Sequence, residues 1–179
     1  MNKFKNILWE YIKTFLTSLL FVLFFINFIA IPVKVSGSSM LPNLNNGDFG
    51  FSGIITKAFG YNRFDIVVLK KYDSNDKIVK RIIGLPAETV QIDKEGKIYI
   101  DGEVLEESYG AEVIRPEYIG IAAEEILLGE DEYFVLGDNR NNSKDSRMPE
   151  VGNIDREDII GRAWVRIWPL KDFEVIAHQ

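Results

Sequence analysis

The chain has 179 residues, of which 46% are hydrophobic, and its net charge at neutral pH is −6. This length accommodates one compact domain together with an anchor. Because the chain contains no cysteine, disulfides, thiolate metal sites and cysteine nucleophiles are excluded. Its one histidine, His178, lies beside the C-terminus, where chains tend to fray, so a Ser-His-Asp triad would depend on a poorly ordered base. We predict neither a metal site nor a cofactor.

The first predicted element is a transmembrane anchor over residues 15–31, an apolar run whose only polar members are Thr17, Ser18 and Asn27. Seventeen residues are at the short end for a membrane-spanning helix, and apolar residues between Ile7 and Ile12 can extend the run. A cleaved signal peptide is the alternative interpretation. The run exceeds the 7–15 apolar residues of such a peptide, which favours an uncleaved anchor.

The orientation of the anchor is predicted from charge. Lys3, Lys5 and Lys13 lie on its N-terminal side, and positive residues mark the cytoplasmic end of a span. We therefore expect residues 1–14 to be a short cytoplasmic N-terminus. Residues 32–179 would form a domain on the outer face of the cell membrane.

This outer domain is acidic. From Ser36 onward there are 17 Lys and Arg against 26 Asp and Glu, a net charge of −9. Phosphate contacts need clustered positive charge, so we expect no nucleic-acid partner.

Beyond the anchor, the pattern changes to short alternating or β-branched runs that predict strands. These runs are Phe49–Ile55, Asp65–Lys71, Ile78–Ile83, Thr89–Ile92, Lys97–Ile100, Glu103–Leu105, Glu132–Leu136 and Ile159–Trp168. No long helical period follows residue 35. The sequence therefore predicts a mainly β domain of antiparallel sheets.

Two turns and one insertion complete the predicted domain. Residues 93–96 join two strands as a hairpin, and Asp101-Gly102 predicts a second, type I′ turn, because both residues tolerate a positive φ. Residues 106–131 are acidic and weakly patterned. We expect them to be an insertion with a short helix near Ile121–Ile126.

Ser39 is the candidate nucleophile, in the polar stretch Ser36–Pro42. It follows Pro32 by seven residues, which at ~3.3–3.6 Å per residue keeps it within roughly 25 Å of the apolar run. A serine at this height could act on a substrate held at the membrane surface. The same composition is typical of a flexible linker between an anchor and a domain.

Lysine is the general base that this composition offers in place of histidine. Burial lowers the pKa of a lysine from its reference value of ~10.4, and a lysine with a pKa of about 7–8 can serve as the base of a Ser-Lys pair. Lys80 stands among strong strand formers, with Ile78 on the same predicted face. An exposed edge-strand lysine that prevents aggregation would fit the same pattern.

A polar loop, Gly137–Arg147, follows the predicted strand Glu132–Leu136. Its eleven residues exceed what a simple hairpin turn needs. Pairs of Asp and Arg would brace such a loop. A rigid polar loop supplies side chains of the kind that orient a catalytic base.

Together these segments resemble type I signal peptidases, the membrane-bound serine proteases that remove signal peptides from exported proteins. The resemblance covers essentially the whole chain. After the anchor it rests on four segments in the family's order: Ser39–Pro42, Asp65–Val68, Lys80–Pro86 and Gly137–Arg147. The single anchor and short insertions are similar to the compact bacterial form.

The resemblance implies a role for each matching residue. Ser39 would attack the scissile carbonyl and form an acyl-enzyme. Lys80, neutral in the free enzyme, would take the Ser39 proton and later activate the deacylating water. Ser143 matches a serine that hydrogen-bonds and orients the lysine, and Asp145 and Arg147 match a structural ion pair.

Further motif positions are Asp138 and Arg140, which we interpret as bracing the loop. The backbone N–H of Ser39 would supply one donor to the oxyanion. Some family members carry a helping serine two residues before the nucleophile, where this chain has Gly37. Losing such a donor costs ~10²–10³ in rate, so the sequence leaves the second donor open.

The resemblance also implies the partners. Signal-peptide-bearing preproteins would bind as an extended strand and be cleaved after small residues at positions −3 and −1. Val35, Met40, Leu44 and Val79 flank the catalytic pair in sequence and are the predicted pocket walls, although core packing alone explains each of them. The lipid bilayer is the second expected partner, and proximity to the secretion channel is a further expectation.

Two other classes of protein share parts of this pattern. A non-catalytic, membrane-anchored β domain would keep the fold and bind exported chains, but the presence of both Ser39 and Lys80 favours an enzyme. Self-cleaving Ser-Lys repressor proteases resemble the catalytic core. They usually carry a DNA-binding domain where this chain has an apolar run.

Overall fold

The structure is a computed structural model that describes residues 2–28, 30–54, 60–70 and 77–176. One long helix, α1 (Asn2–Phe28), precedes two antiparallel sheets. The predicted fold class, mainly antiparallel β with one N-terminal apolar helix, is confirmed. His178 lies outside the described residues.

Helix α1 differs from the predicted anchor at both ends. It begins at Asn2, so nearly all of the segment 1–14 is helical, and it ends at Phe28. The prediction placed Ala30 and Ile31 in the anchor, but they pair with Gly53 and Ser52 in a sheet. The next residue, Pro32, explains the change, because the residue before a proline is disfavoured in the α conformation.

The apolar part of α1, Lys3–Phe24, is long enough and apolar enough to cross a membrane by length and composition. Its large apolar side chains are exposed, from Phe4 at 73% to Phe24 at 54%. At ~1.5 Å per residue, 22 residues span about 33 Å, which matches the ~30 Å hydrocarbon core. The helix is consistent with a membrane anchor.

Twelve strands follow the helix: β1 (Ala30–Lys34), β2 (Phe49–Gly53), β3 (Ile66–Lys70), β4 (Lys77–Gly84), β5 (Thr89–Ile92), β6 (Ile98–Ile100), β7 (Glu103–Val104), β8 (Ile126–Leu127), β9 (Glu132–Leu136), β10 (Ile154–Asp155), β11 (Ile159–Trp168) and β12 (Glu174–Val175). Every predicted strand is present, either with its predicted ends or with ends shifted by one or two residues. The predicted ends at Ile55 and Lys71 lie outside the described residues. The sequence did not predict β1, β8, β10 or β12.

The larger sheet has the order β1-β2-β11-β3-β4-β9-β10, with β12 beside β11. Strand β4 pairs with β3 along residues 77–81 and with β9 only from Arg81 onward. The edge of β4 over residues 77–80 that faces away from β3 therefore has no strand partner among the described residues.

The smaller sheet has the order β7-β6-β5-β8 and contains both predicted turns. Strands β5 and β6 form the expected hairpin, with Val90 opposite Ile100. Asp101 and Gly102 have φ values of 51° and 78°, as a type I′ turn requires. These local predictions are confirmed.

The segment 106–131 is more ordered than the sequence suggests. The predicted helix near Ile121–Ile126 is a 3₁₀ turn over Gly120–Ala123, and Ile126 already belongs to β8. Strand β8 pairs with β5 through Val90 and Ile126. Backbone pairing to an open sheet edge therefore overrides the weak helical pattern.

Three buried apolar clusters meet around β4. Its residue Ile83 packs in the cluster under the smaller sheet, and Val79 and Ile82 pack in the two other clusters. Strand β4 therefore lies in the interior of the domain, and a charged side chain on its inner part is removed from water. Lys80 lies in the middle of the strand.

Candidate active site

The side chains of Ser39 and Lys80, 41 residues apart in sequence, meet in the structure. The Nζ atom of Lys80 donates a hydrogen bond to the Oγ atom of Ser39 at 2.7 Å. Lys80 is on β4, opposite Val67 of β3, and only 4% of its surface is exposed. Ser39 is half-buried in the loop between β1 and β2. The candidate nucleophile and the candidate base are thus within proton-transfer distance.

Burial of Lys80 lowers its pKa from 10.5 to about 8, because desolvation disfavours the ammonium. The carboxylates of Asp145 and Asp138 oppose this shift, and the guanidinium of Arg147 adds to it. A pKa of about 8 leaves an appreciable fraction of Lys80 neutral near neutral pH. Only the neutral amine can accept the proton of a serine.

The polar loop 137–147 fixes the backbone on both sides of the nucleophile. The backbone N–H of Asn139 donates to the carbonyl of Ser39 at 3.0 Å, and its side-chain amide donates to the carbonyl of Ser38 at 3.1 Å. The side-chain amide of Asn142 reaches the hydroxyl of Ser38 at 3.1 Å. Asn139 and Asn142 had no predicted role.

Gly137 allows the loop to approach the nucleophile this closely. A Cβ atom on Gly137 would lie 2.2 Å from the Oγ of Ser143 and 2.5 Å from the carbonyl oxygen of Ser39. Its own N–H donates to Asp145 at 3.0 Å. Any side chain here would separate the loop from Ser39.

The backbone N–H of Ser39 makes no hydrogen bond to any described residue, so it can donate to an oxyanion. Gly37 has a φ of 91°, and its N–H donates to the side chain of Asn46 at 3.0 Å. It therefore fixes the turn before the nucleophile rather than supplying a second donor.

Asp145 and Arg147 lie together as a buried, two-point ion pair. Nε and Nη2 of Arg147 donate to the two carboxylate oxygens of Asp145, each at 2.8 Å. The remaining Nη1 donates to the carbonyl of Tyr118 at 2.9 Å. The pair supports the loop from beneath and places one charge of each sign near Lys80.

Asp138 and Arg140 pair with residues outside the loop. Asp138 forms a two-point ion pair with Arg81 on β4, at 2.8 and 2.7 Å. Arg140 pairs with Glu107 at 2.9 Å. The two residues therefore tie the loop to a strand and to the segment 106–131.

Ser143 lines the same cleft as Ser39 and Lys80. Its Oγ atom is buried and has no hydrogen-bond partner among the described residues. The hydrogen bond to the lysine that the resemblance implies is thus not formed in this structure. Its hydroxyl remains available for one.

The cleft that contains Ser39 and Lys80 has a volume of about 1320 Å³. The four predicted pocket residues do not line it. Val35, Met40, Leu44 and Val79 pack in one buried cluster next to the pair. Three of them, Val35, Leu44 and Val79, border a separate apolar cavity of about 30 Å³.

The pairing of Arg81 with Asp138 was not predicted from the sequence, although one signal was present. Lys80 and Arg81 are consecutive in an apolar strand, so their side chains point to opposite faces and each face needs a partner for a buried charge. Identifying Asp138 as that partner requires the fold. Among the described residues, no group of three or more acidic side chains is placed to hold a metal ion.

Comparison with protein families places the chain. The family model described as signal peptidase, peptidase S26, matches residues 8–168. The chain therefore belongs to the signal peptidase S26 family.

Individual relatives agree with this assignment. Probable signal peptidase I-2 of Synechocystis sp. is 36% identical over 88% of this chain and 72% of its own length. Signal peptidase I S of Bacillus subtilis is 35% identical over 96% of this chain and 95% of its own length. The crystal structure of a signal peptidase I from Enterococcus faecalis matches 57% of this chain and 96% of its own chain, with a TM-score of 0.47 and a sequence identity of 31%.

Proposed function

We propose that this chain is a membrane-bound serine endopeptidase that cleaves signal peptides from exported preproteins with Ser39 as nucleophile and Lys80 as general base. The 2.7 Å contact between Lys80 Nζ and Ser39 Oγ is the observation that carries the proposal. The lowered pKa of Lys80, about 8, supports a role as base. Family membership supports the substrate class.

The catalytic steps follow from these contacts. Neutral Lys80 accepts the proton of Ser39 as its Oγ attacks the scissile carbonyl, and the backbone N–H of Ser39 stabilises the oxyanion. The Lys80 ammonium then protonates the leaving amine, which leaves an acyl-enzyme on Ser39. Lys80, neutral again, takes a proton from the water that releases the acyl group.

Ser143 and the ion pair would set the orientation of the base. No described residue hydrogen-bonds the buried Ser143 hydroxyl, so it can accept a hydrogen bond from the Lys80 ammonium when that charge forms. Asp145 and Arg147 would hold the loop that carries Ser143. Their near-neutral pair leaves the pKa of Lys80 dominated by burial.

An extended substrate can bind along β4. The outer edge of residues 77–80 has no described strand partner, so its backbone groups can pair with a peptide by β-augmentation. Lys80 lies on this same stretch. Val35, Met40, Leu44 and Val79 do not line the cleft, so they would act only as the apolar packing behind it. Selection of small side chains at −1 and −3 is proposed from family membership.

The apolar helix would span the cell membrane with its N-terminus inside. Lys3, Lys5 and Lys13 support this orientation, and the catalytic domain then lies on the outer face. Ser39 lies eleven residues after the end of α1, with β1 between them, rather than on a free linker. This arrangement would hold the nucleophile near the membrane surface and near the secretion channel, where preproteins emerge.

The test uses the full chain in detergent micelles with a purified preprotein. Ser39→Ala and Lys80→Met should each lower the cleavage rate by more than ~10³-fold, because the pair acts as a unit. Lys94→Met, on the exposed turn between β5 and β6, is the matched lysine control and should cleave at the wild-type rate. Sequencing the new N-termini should find small residues at −1 and −3. Robust turnover by folded Lys80→Met protein would refute the mechanism.

A further inference from the structure

Asp138 joins the three segments that carry the active-site residues. Its carboxylate accepts hydrogen bonds from Nε and Nη2 of Arg81, at 2.8 and 2.7 Å, and from the side-chain amide of Asn43, at 2.8 Å. Arg81 is the neighbour of Lys80 on β4, and Asn43 lies four residues after Ser39. The strand of the base, the loop of the nucleophile and the polar loop therefore meet at one carboxylate.

The ring of Tyr109 covers the partner of that carboxylate. The Cζ atom of Arg81 lies 3.8 Å from the centroid of the Tyr109 ring, within the range of a cation–π contact. Arg81 is only 3% exposed, which strengthens such a contact by removing water. The ring of Phe64 also packs against the Tyr109 ring, with the two centroids 5.1 Å apart, and the carbonyl of Phe64 accepts a hydrogen bond from Nη1 of Arg81 at 2.9 Å.

The backbone around Tyr109 is bonded to the same groups. The carbonyl of Tyr109 accepts from the side-chain amide of Asn43 at 3.2 Å, and the N–H of Ala111 donates to the carbonyl of Asp138 at 2.9 Å. The N–H of Tyr109 donates to Glu107 at 2.8 Å, and Glu107 pairs with Arg140. Residues 107–111 thus form a strap that is bonded to the loop of Asn43 and to the polar loop, and they belong to the segment that the sequence leaves without a role.

We propose that Tyr109 is a positioning residue of the Ser39–Lys80 pair, because its ring holds the Arg81 guanidinium on Asp138. The inference rests on the proposed function and adds a role for the strap. Tyr109 touches neither the nucleophile nor the base in any recorded contact. It acts through Arg81 and Asp138.

The mechanism predicts a specific electrostatic consequence. Lys80 faces the carboxylates of Asp145 and Asp138, which raise its pKa, and the guanidinium of Arg147, which lowers it. Arg81 neutralises Asp138 from the opposite side. If Arg81 shifts, the uncompensated carboxylate favours the Lys80 ammonium, and the pKa of Lys80 rises. The rise of kcat/KM with pH that reports the deprotonation of Lys80, called the acidic limb here, must then move to higher pH.

The experiment compares Tyr109→Leu with Tyr109→Phe in the full chain, with cleavage of a purified preprotein followed as kcat/KM from about pH 6 to about pH 10. Tyr109→Phe keeps the ring over Arg81 and should match wild type. Tyr109→Leu should move the acidic limb up by roughly half a unit to one unit, which lowers the rate near pH 7 by about three- to tenfold and restores it at high pH. A merely structural role would lower the rate by one factor at every pH.

Other results overturn the proposal. A Tyr109→Leu profile with an unmoved limb refutes it, whatever the rate. If Tyr109→Leu does not fold, Tyr109→Met, which fills similar volume without a ring face, must show the same shift. Failure of the proposed function is distinguishable, because the wild-type chain would then cleave no preprotein, whereas failure of this inference leaves wild-type cleavage intact.

Discussion

The two sheets differ in what they bury. The end of the larger sheet that holds the candidate active site buries charged side chains, whereas the smaller sheet buries apolar ones. Around Lys80 the fold buries Arg81, Asp138, Asp145 and Arg147. Among the described residues of the range 84–137, no buried side chain is charged, and the smaller sheet packs on isoleucine, valine and leucine. The contrast indicates that buried charge is confined to the larger sheet and its loops, where much of it surrounds Lys80, and is absent from the core of the smaller sheet.

The two regions also differ in the range of their interactions. Hairpin pairs in the smaller sheet join residues about ten apart, such as Val90 and Ile100. The ion pair of Arg81 and Asp138 spans 57 residues. Apolar burial tolerates many partners, whereas each buried charge needs one partner in one place.

The largest expected effect on stability concerns the buried ion pair. Asp145→Asn should lower the free energy of unfolding by about 3–5 kcal/mol, because it leaves the charge of Arg147 buried without its counter-ion. Asp158→Asn is the matched control, since its pair with Lys70 is exposed and 3.7 Å long, and should cost under ~1 kcal/mol. Urea unfolding of both variants measures the difference. If both variants lost the same free energy of unfolding, the buried pair would contribute no more to stability than the exposed one.

Lys80 itself should cost stability, and the cost should depend on pH. Its pKa is lowered from 10.5 to about 8, so between these values the unfolded chain binds more protons and stability rises with pH. Relative to Lys80→Met, the wild type should gain about 3 kcal/mol as the pH rises from below 8 to above 10.5. Urea midpoints measured across this range test it. If the unfolding free energies of wild type and Lys80→Met changed with pH in parallel, burial would not lower the pKa of Lys80.

The smallest expected effect is in the smaller sheet. Ile92→Val removes one buried methyl group and should lower the free energy of unfolding by about 1 kcal/mol at every pH. The acidic limb of cleavage should stay where it is, because no charge near Lys80 changes. A shifted limb would show that the smaller sheet also tunes the base.

Local patterns predicted the smaller sheet well. The strand Thr89–Ile92 has its predicted ends, and Asp101-Gly102 forms its predicted turn. Strand β1 was missed because its residues continue the apolar run, and only Pro32 signals the change. Strand β8 was missed because two residues carry no period of their own.

The active site could be predicted only through the family resemblance. Periodicity alone did not decide between Lys80 as a base and Lys80 as an edge-strand residue. The position of Arg81 in an apolar strand signals only that it needs a partner. No local signal identifies Asp138 as that partner, Glu107 as the partner of Arg140, or Tyr109 as the ring over Arg81. Which charges meet is set by the order of strands in the sheet, and one sequence does not contain that order in readable form.

The protonation of Lys80 is the central claim, and its direct measurement is an NMR titration of the lysine side chains in the full chain, with Lys80→Met identifying the signal. We expect one lysine to titrate near pH 8, to disappear in Lys80→Met, and to match the acidic limb of preprotein cleavage. Titration of every lysine near the reference value of ~10.4 would contradict a neutral, buried base at Ser39.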